Sequence, residues 1–371
     1  MTHAPKLLLV IPHLGGGGAE MVTALLANGL SREKYQLHLA LITQAAPPDD
    51  AFAPQVAVHG LRASRVRAAA IPLLRLVWRL KPNLILSGMA HLNFLVLLLR
   101  PFFPHGTSIL VRQNSTLSAS LDSGALPSYT RILYRLLYRH ADKVICQTRA
   151  MAEDLARGLN FPQDRLTVLP NPVKLDEIRS TASLSSSRWC GPGPHLLAVG
   201  RLSWEKGFDL LLEALAQVRT RVPSADLAIV GGGPQERLLK ALSTRLGLEP
   251  AVHFLGHLDS PYLYFPGATL FVLSSRHEGL PNALLEAAAA GLPLVAMPCC
   301  GGVIELLRGQ PGVWTVPEIS ADALAATLLE ALASLRPEER FTNAFVEQFS
   351  AERAIAGYEQ LIDATLEARR P

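Results

Sequence analysis

Residues 274–291 read SSRHEGLPNALLEAAAAG and fall into three parts. The preceding run, Leu270-Phe271-Val272-Leu273, is apolar and of strand length. Arg276-His277-Glu278-Gly279-Leu280 is a polar, glycine-containing turn. From Pro281 the chain is Leu/Ala-rich and closes on Gly291 with Pro293 beyond, the punctuation of a helix with Pro near its first position and Gly just past its end. A strand, a tight loop and a helix N-terminus make a place for an anion, because the unpaired N–H groups and the dipole of the first turn point at whatever sits above them. Glu278 lies in the loop and Glu286 about one and a half turns into the helix. Ionised carboxylates repel phosphate and accept O–H bonds, so this pair suits hydroxyl-rich groups on either side of a phosphate, a sugar at one end and a ribose at the other. A solvated helix start with an acidic cap shows the same pattern.

The chain has 371 residues, too many for one ordinary core, so two domains are expected. Only 18% of residues are charged, which suits parallel strands buried on both faces. The N-terminus has a strand-length apolar run and no signal-peptide pattern, and the uncharged run 82–99 is interrupted by Asn83, Ser87, Gly88, His91 and Asn93. The cysteines Cys146, Cys190, Cys299 and Cys300 show no CxxC spacing, the usage of a reduced cytoplasmic protein without structural zinc. Charge is uneven. Residues 1–187 carry 20 Lys/Arg against 11 Asp/Glu, a net +9, and residues 188–371 carry 15 against 20, a net −5. Between Asp50 and Asp122 there are eight Lys/Arg and no acid. Such a half attracts anionic surfaces, a cytoplasmic leaflet or a phosphate-bearing acceptor.

Residues 6–12 (KLLLVIP) read as a buried first strand, followed by Gly15-Gly16-Gly17-Gly18 and a helix over 19–30 with Glu20 in its first turn. Strand, glycines and helix outline a nucleotide-phosphate site, although neither GxGxxG with its spaced acid nor GxxxxGK[ST] is present. Residues 62–80 alternate basic and apolar residues at helical spacing. They fit an interfacial helix with Arg65, Arg75, Arg79 and Trp78, and equally a helix packed on its own sheet. The strand 107–111 ends at Arg112-Gln113-Asn114, where open α/β sheets bind ligands. Residues 118–126 read as loop, and 128–140 as a basic, aromatic helix that also suits a membrane or acceptor. A polar stretch, 176–194, reads as the linker.

The strand–helix alternation then restarts, giving two doubly wound domains: residues 1–187, to which 349–371 return, and residues 188–348. At the end of the second half's first strand, Arg201 and Lys206 are separated by a glycine-flanked loop. Arg offers a fork and Lys a point charge to a diphosphate, which they suit without a metal; no Asp-x-Asp occurs anywhere.

Together these residues resemble retaining glycosyltransferases of the GT-B fold, glycosyltransferase family 4. The signature E-G-hydrophobic-P-x-x-x-x-E-A-x-A-x-G-x-P stands here as Glu278-Gly279-Leu280-Pro281 through Glu286-Ala287, Ala289, Gly291 and Pro293. The Gly15–Gly18 loop, Asn171-Pro172, Gly200-Arg201-Leu202 with Lys206-Gly207, Gly231-Gly232-Gly233-Pro234 and Gly301-Gly302 with Glu305 extend the likeness over almost the whole chain. The resemblance implies an α/β protein of GT-B architecture, two Rossmann-like domains facing each other across a cleft. It implies that Arg201 and Lys206 hold the donor diphosphate, that Glu286 binds the ribose hydroxyls and Glu278 the donor sugar, and that Gly279, Leu280, Pro281 and Asn282 line the donor. It also implies that the glycine loop, Gly16, Gly17 and Gly18, closes over the phosphates. Leu280-Pro281-Asn282 is similar to members that transfer N-acetylated amino sugars to polyprenyl-linked acceptors. Many relatives carry a His at the end of the strand corresponding to 107–111; here Arg112-Gln113-Asn114 stands there and His91 ends the preceding strand, so His91, Arg112 and Asn114 are the acceptor-side candidates.

The expected protein is therefore a cytoplasmic transferase, peripheral on the inner leaflet of the plasma membrane. It takes a UDP-sugar as co-substrate, needs neither metal nor cofactor, and delivers the sugar to a glycan or lipid-linked acceptor with retention. No nucleic-acid partner is expected. A sugar-nucleotide epimerase and a non-catalytic sugar-nucleotide binder are the alternatives. The first would turn over its donor with no acceptor present, and the second would bind without consuming it.

Overall fold

The computed structural model describes residues 4–14, 18–43, 52–122, 129–184, 187–258, 260–336 and 339–369. The chain divides into two compact units, Met1–Pro172 with Ala351–Pro371, and Val173–Ser350.

In the first unit the elements run β1 (Lys6–Ile11), α1 (Gly18–Gly29), β2 (Gln36–Leu41), β3 (Ala57–Gly60), α2 (Ala70–Leu80), β4 (Leu84–Ser87) and α3 (Ala90–Leu99). They continue with β5 (Ser108–Gln113), α4 (Leu117–Asp122), α5 (Thr130–Leu137), β6 (Lys143–Cys146), α6 (Arg149–Leu159) and β7 (Leu166–Val168). The seven strands are parallel in the order β3-β2-β1-β4-β5-β6-β7. Alternation along β1 explains why its residues from Leu7 to Ile11 are all apolar: Leu8 and Val10 enter the core under α2, α3, α5 and α6, while Leu7, Leu9 and Ile11 enter the core under α1.

The second unit contains α7 (Leu175–Leu184), β8 (His195–Val199), α8 (Phe208–Arg219), β9 (Asp226–Val230), α9 (Glu236–Arg245), β10 (Val252–Gly256) and β11 (Leu270–Leu273). After these come α10 (Asn282–Ala289), β12 (Leu294–Ala296), α11 (Gly301–Leu307), β13 (Val313–Thr315) and α12 (Ala321–Ser334). Its six parallel strands are ordered β10-β9-β8-β11-β12-β13. Helices α8, α9 and α12 cover one face, and α7, α10 and α11 the other. The last helix, α13 (Ala351–Glu367), belongs to the first unit, where Tyr358 and Ile362 are buried beside α1.

The chain leaves the first unit at Pro172, ahead of the boundary at 187 expected from polarity. Val173, Leu175 and Ile178 are buried in the second unit's core. Of the residues 118–126 expected as loop, 118–122 belong to α4, because the Asp154 carboxylate accepts the N–H groups of Leu117 (2.7 Å) and Ser118 (3.1 Å) and caps the turn from outside. In both sheets strand order reverses in the middle, between β1 and β4 and between β8 and β11. At such a reversal the two loops leave in opposite directions and open a crevice at the carboxyl ends of the strands.

Candidate donor and acceptor sites

The second unit's reversal is flanked by the loops after β8 and β11, which carry Arg201 and Lys206, and Glu278 to Pro281. The two loops are pinned together. The Arg276 N–H donates to the Glu205 carbonyl (2.8 Å), and the Ser274 hydroxyl donates to the Lys206 carbonyl (2.9 Å). The Arg276 guanidinium forks onto Asp209 at 2.7 and 2.6 Å, donates to the Trp204 carbonyl and stacks over the Trp204 ring. Burial pushes the Asp209 carboxyl up, but the Arg276 fork outweighs it and holds Asp209 below the usual carboxylate range. The turn after Lys206 requires glycine: Gly207 has φ 63°, and a Cβ there would lie 2.1 Å from the Ser274 carbonyl oxygen.

This frame sets the charges. Lys206 Nζ lies 2.5 Å from Glu278 Oε1, which also accepts the Ser275 hydroxyl at 2.8 Å. Arg201 is 69% exposed in its side chain and pairs with Glu205 at 2.7 Å. Burial raises the Glu205 carboxyl, yet the bonds from Ser203, its own N–H and Arg201 outweigh it and keep it ionised below the usual range. Both cations are therefore held by carboxylates, a state that a diphosphate can enter by exchanging one anion for another.

Helix α10 begins one residue later than the sequence pattern suggests, with Pro281 as its N-cap and Asn282 first in the helix. It ends as expected: Gly291 has φ 78°, the Gly291 N–H donates to Ala288 and the Leu292 N–H to Ala287, a Schellman closure. The Leu280 side chain is buried in the core, so at that position only the backbone can meet a ligand. Glu286 is partly buried, and burial pushes its carboxyl up to about 7, with the Tyr262 hydroxyl beside it opposing the rise. Ser275 and Glu205 are local partners, three residues from Glu278 and four from Arg201, whereas Tyr262 comes to Glu286 through the tertiary fold.

In the first unit the reversal lies between β1 and β4. Gly16 and Gly17 lie outside the described residues, and Gly18 is the first residue of α1. His91 opens α3 at the end of β4; packing around it presses its imidazole below the usual range, His13 adds to this, and Glu20 of α1 opposes it. Asn114 lies close by, its side-chain amide donating to the Gly88 carbonyl and its oxygen accepting from Gln147 at 3.2 Å. Arg112 is different. It shares the face of β5 with Leu110, which is the α13 face, and is 1% exposed. Its Nε donates to the Tyr358 hydroxyl and one amino group to Asn171 Oδ1, both at 2.7 Å. Arg112 thus fastens α13 and the residue before the crossing to the sheet.

Outside these sites, α2, α3 and α5 cover one face of the first sheet and expose large apolar side chains. Ile71 and Trp78 on α2, Leu98 and Phe102 at the end of α3, and Ile132 on α5 all stand in solvent among the exposed Arg75, Arg79, Arg131 and Arg135. The Trp78 indole donates to the Phe102 carbonyl at 2.9 Å, joining the first two helices. Among the described residues, no helix is long and apolar enough to cross a membrane.

Two Rossmann-like parallel sheets, with charged loops at the second sheet's reversal, are the architecture of GT-B glycosyltransferases. The chain belongs to that group by both halves: residues 17–172 match the glycosyl transferase 4-like domain family, and residues 193–334 match the glycosyl transferases group 1 family. It is 28% identical over 313 residues to N-acetylgalactosamine-N,N'-diacetylbacillosaminyl-diphospho-undecaprenol 4-alpha-N-acetylgalactosaminyltransferase of Campylobacter jejuni, covering 81% of this chain and 83% of the relative. It is 25% identical over 244 residues to an uncharacterized glycosyltransferase of Methanocaldococcus jannaschii, covering 63% of this chain and spanning 60% of that relative's length. Among solved structures, HepE of Anabaena in complex with UDP and glucose superposes with a TM-score of 0.77 at 18% identity, covering 97% of this chain and all of that one, a likeness of fold.

Proposed function

We propose that the protein is a retaining transferase of glycosyltransferase family 4. In this reading it moves a hexose or N-acetylated amino sugar from a UDP-sugar to a glycan or polyprenyl-linked acceptor, without a metal or cofactor. The observation that carries the reading is the gathering of Arg201, Lys206 and Glu278 at the second sheet's reversal, with Glu286 in the helix that starts there. The activity for which the Campylobacter jejuni relative is named supports the amino sugar and the lipid-linked acceptor, and the UDP in the HepE complex supports the nucleotide.

In this reading Arg201 and Lys206 take the diphosphate and neutralise the charge that builds on it as the bond to the sugar breaks. Lys206 then exchanges Glu278 for a phosphate oxygen, and Glu278 turns to the sugar hydroxyls. Backbone N–H groups of Gly279 and of Asn282 at the start of α10 face the donor, with Pro281 between them, and Glu286 accepts the ribose hydroxyls. Transfer on one face of the sugar uses the departing phosphate oxygen as base for the acceptor hydroxyl, so the protein contributes positioning and electrostatics and needs no nucleophile. His91 and Asn114 orient the acceptor in the first unit. The exposed basic and apolar face of α2, α3 and α5 docks on the anionic inner leaflet, placing a lipid-linked acceptor in reach.

The test is a thermal-shift and turnover panel of nucleoside diphosphate sugars in EDTA, with and without a membrane extract. Stabilisation by UDP-sugars, with UDP released only when extract is present, is the expected result. No stabilisation by any nucleotide sugar would overturn the assignment, and donor consumption without acceptor would point to the epimerase. Arg201→Ala is expected to abolish turnover while the protein stays folded.

A further inference from the structure

The Arg112 guanidinium has three nitrogen corners, and the fastening of α13 uses two of them. Nε and Nη2 donate to the Tyr358 hydroxyl and to Asn171 Oδ1, both neutral oxygens. The third corner, Nη1, is buried and has no hydrogen-bond partner among the described residues. Glu20 of α1 is buried as well, but among the described residues it makes no bond to Arg112. A buried guanidinium that meets only neutral groups and keeps N–H groups unused is costly, and buried charges are normally paired.

The space beside Nη1 is kept by Gly88, the residue after β4. Its backbone lies outside the left-handed region, so conformation does not call for glycine there. Packing does not call for it either. Among the described residues beyond its chain neighbours, a Cβ on Gly88 would meet within 4 Å only Arg112 Nη1 and Thr23 Oγ1, each at 3.5 Å. The gap is thus walled by two polar atoms. The Thr23 hydroxyl donates to the Ala19 carbonyl at 3.0 Å, and its proton can turn to a guest. The Gly88 carbonyl accepts the Asn114 amide, so the gap adjoins an acceptor-side candidate. All of these residues belong to the first unit, at the carboxyl ends of β4 and β5 beside the strand-order reversal.

We propose that Arg112 Nη1, Thr23 Oγ1 and the bare edge of Gly88 form a seat for one oxygen of a phosphate, and that this phosphate is the acceptor's. The seat rests on the geometry alone; giving its phosphate to the acceptor rests on the acceptor reading above. Nη1 donates to the oxyanion, which supplies the counter-charge that Arg112 lacks, and the Thr23 hydroxyl adds a second bond. Tyr358 and Asn171 hold the plane of the guanidinium so that Nη1 stays turned to the gap. Arg112 is then a binding residue for a diphosphate-linked acceptor as well as the anchor of α13.

The experiment titrates inorganic pyrophosphate into the full chain by calorimetry, in EDTA and with UDP at saturation to fill the donor site. One pyrophosphate per chain, bound beside UDP, is expected. Gly88→Ala covers Nη1 with a methyl group at ordinary contact distance. Its Tm is therefore expected to stay within about a degree or two and its UDP affinity to stay level, while pyrophosphate binds about tenfold more weakly. Thr23→Val keeps the shape, removes the hydroxyl, and is expected to weaken pyrophosphate by about threefold. No pyrophosphate bound beside UDP, or affinity unchanged in both variants, overturns the seat. Farnesyl diphosphate is the second probe, and it is expected to displace pyrophosphate while UDP stays bound. Displacement of UDP instead, or a Gly88→Ala chain that loses UDP affinity, gives the phosphate to the donor and overturns the acceptor assignment. A chain that binds no UDP counts against the donor reading, and pyrophosphate that it binds and that Gly88→Ala loses leaves the seat standing.

Discussion

Lys206 Nζ and Glu278 Oε1 lie 2.5 Å apart and join the loop after β8 to the loop after β11. Both side chains are mostly buried, so removing either one leaves a charge with little water around it. Lys206→Met is expected to cost about 2 kcal/mol of stability and Glu278→Gln somewhat less, while the double variant recovers part of the loss. Urea midpoints of the three variants measure this. Turnover is expected to fall by about 10²–10³-fold in each single variant, and additive stability losses would show that the pair is not coupled.

Glu286 titrates near 7 in the folded chain and near 4.5 when unfolded, so the folded protein holds the proton over that interval. Stability is then highest below pH 4.5 as far as this group is concerned, falls as pH rises from 4.5 to 7, and is level above. The full penalty is about 3 kcal/mol. Glu286→Gln is expected to raise Tm at pH 8 and leave it unchanged at pH 4.5. In the proposed donor reading the ionised form accepts the ribose hydroxyls, so UDP affinity of the native chain is expected to rise about tenfold between pH 6 and pH 8, and to be flat in the Gln variant.

Tyr358→Phe removes the acceptor of Arg112 Nε in a place with no water to replace it. The expected cost is about 2 kcal/mol, read as a lowered denaturant midpoint. Arg112→Lys is expected to be at least as damaging, since an ammonium cannot serve Tyr358 and Asn171 from one plane. A midpoint unchanged in both variants would show that the fastening of α13 carries no energy.

Phe102→Ser with Ile132→Ser, and separately Arg75→Gln with Arg79→Gln, alter exposed positions and are expected to leave Tm within about a degree or two. Both pairs are expected to lower flotation with vesicles containing phosphatidylglycerol, and the native interaction to weaken with salt. Equal flotation of native and variant chains would remove this face from the docking account.

Much of the architecture is legible in the residues themselves. Parallel strands buried on both faces need unbroken apolar runs, and LLLVI from Leu7 of β1 and LFVL of β11 supply them. Gly207 and Gly291 mark conformations that a side chain resists, so the turn after Lys206 and the end of α10 are readable locally. Helix α4 is not readable, because its cap is the carboxylate of Asp154, far along the chain. The crossing at Pro172 is not readable either: a polar composition marks exposure, and it does not say which core Leu175 and Ile178 enter.

By itself, the sequence determined the strand–helix alternation, the two doubly wound halves, and the placing of Arg201, Lys206, Glu278 and Glu286 in strand-end loops and a helix start. These follow from local propensity and from hydrophobic period, which act over a few residues. Only the tertiary structure decided which charges meet. It paired Lys206 with Glu278, set Tyr262 against Glu286, folded Arg112 inward to Tyr358, and brought the Cys300 sulfur to Gly279. Strand order and the packing of helices on the two sheet faces fix those encounters. Both depend on contacts between residues distant in the chain, which no local pattern encodes.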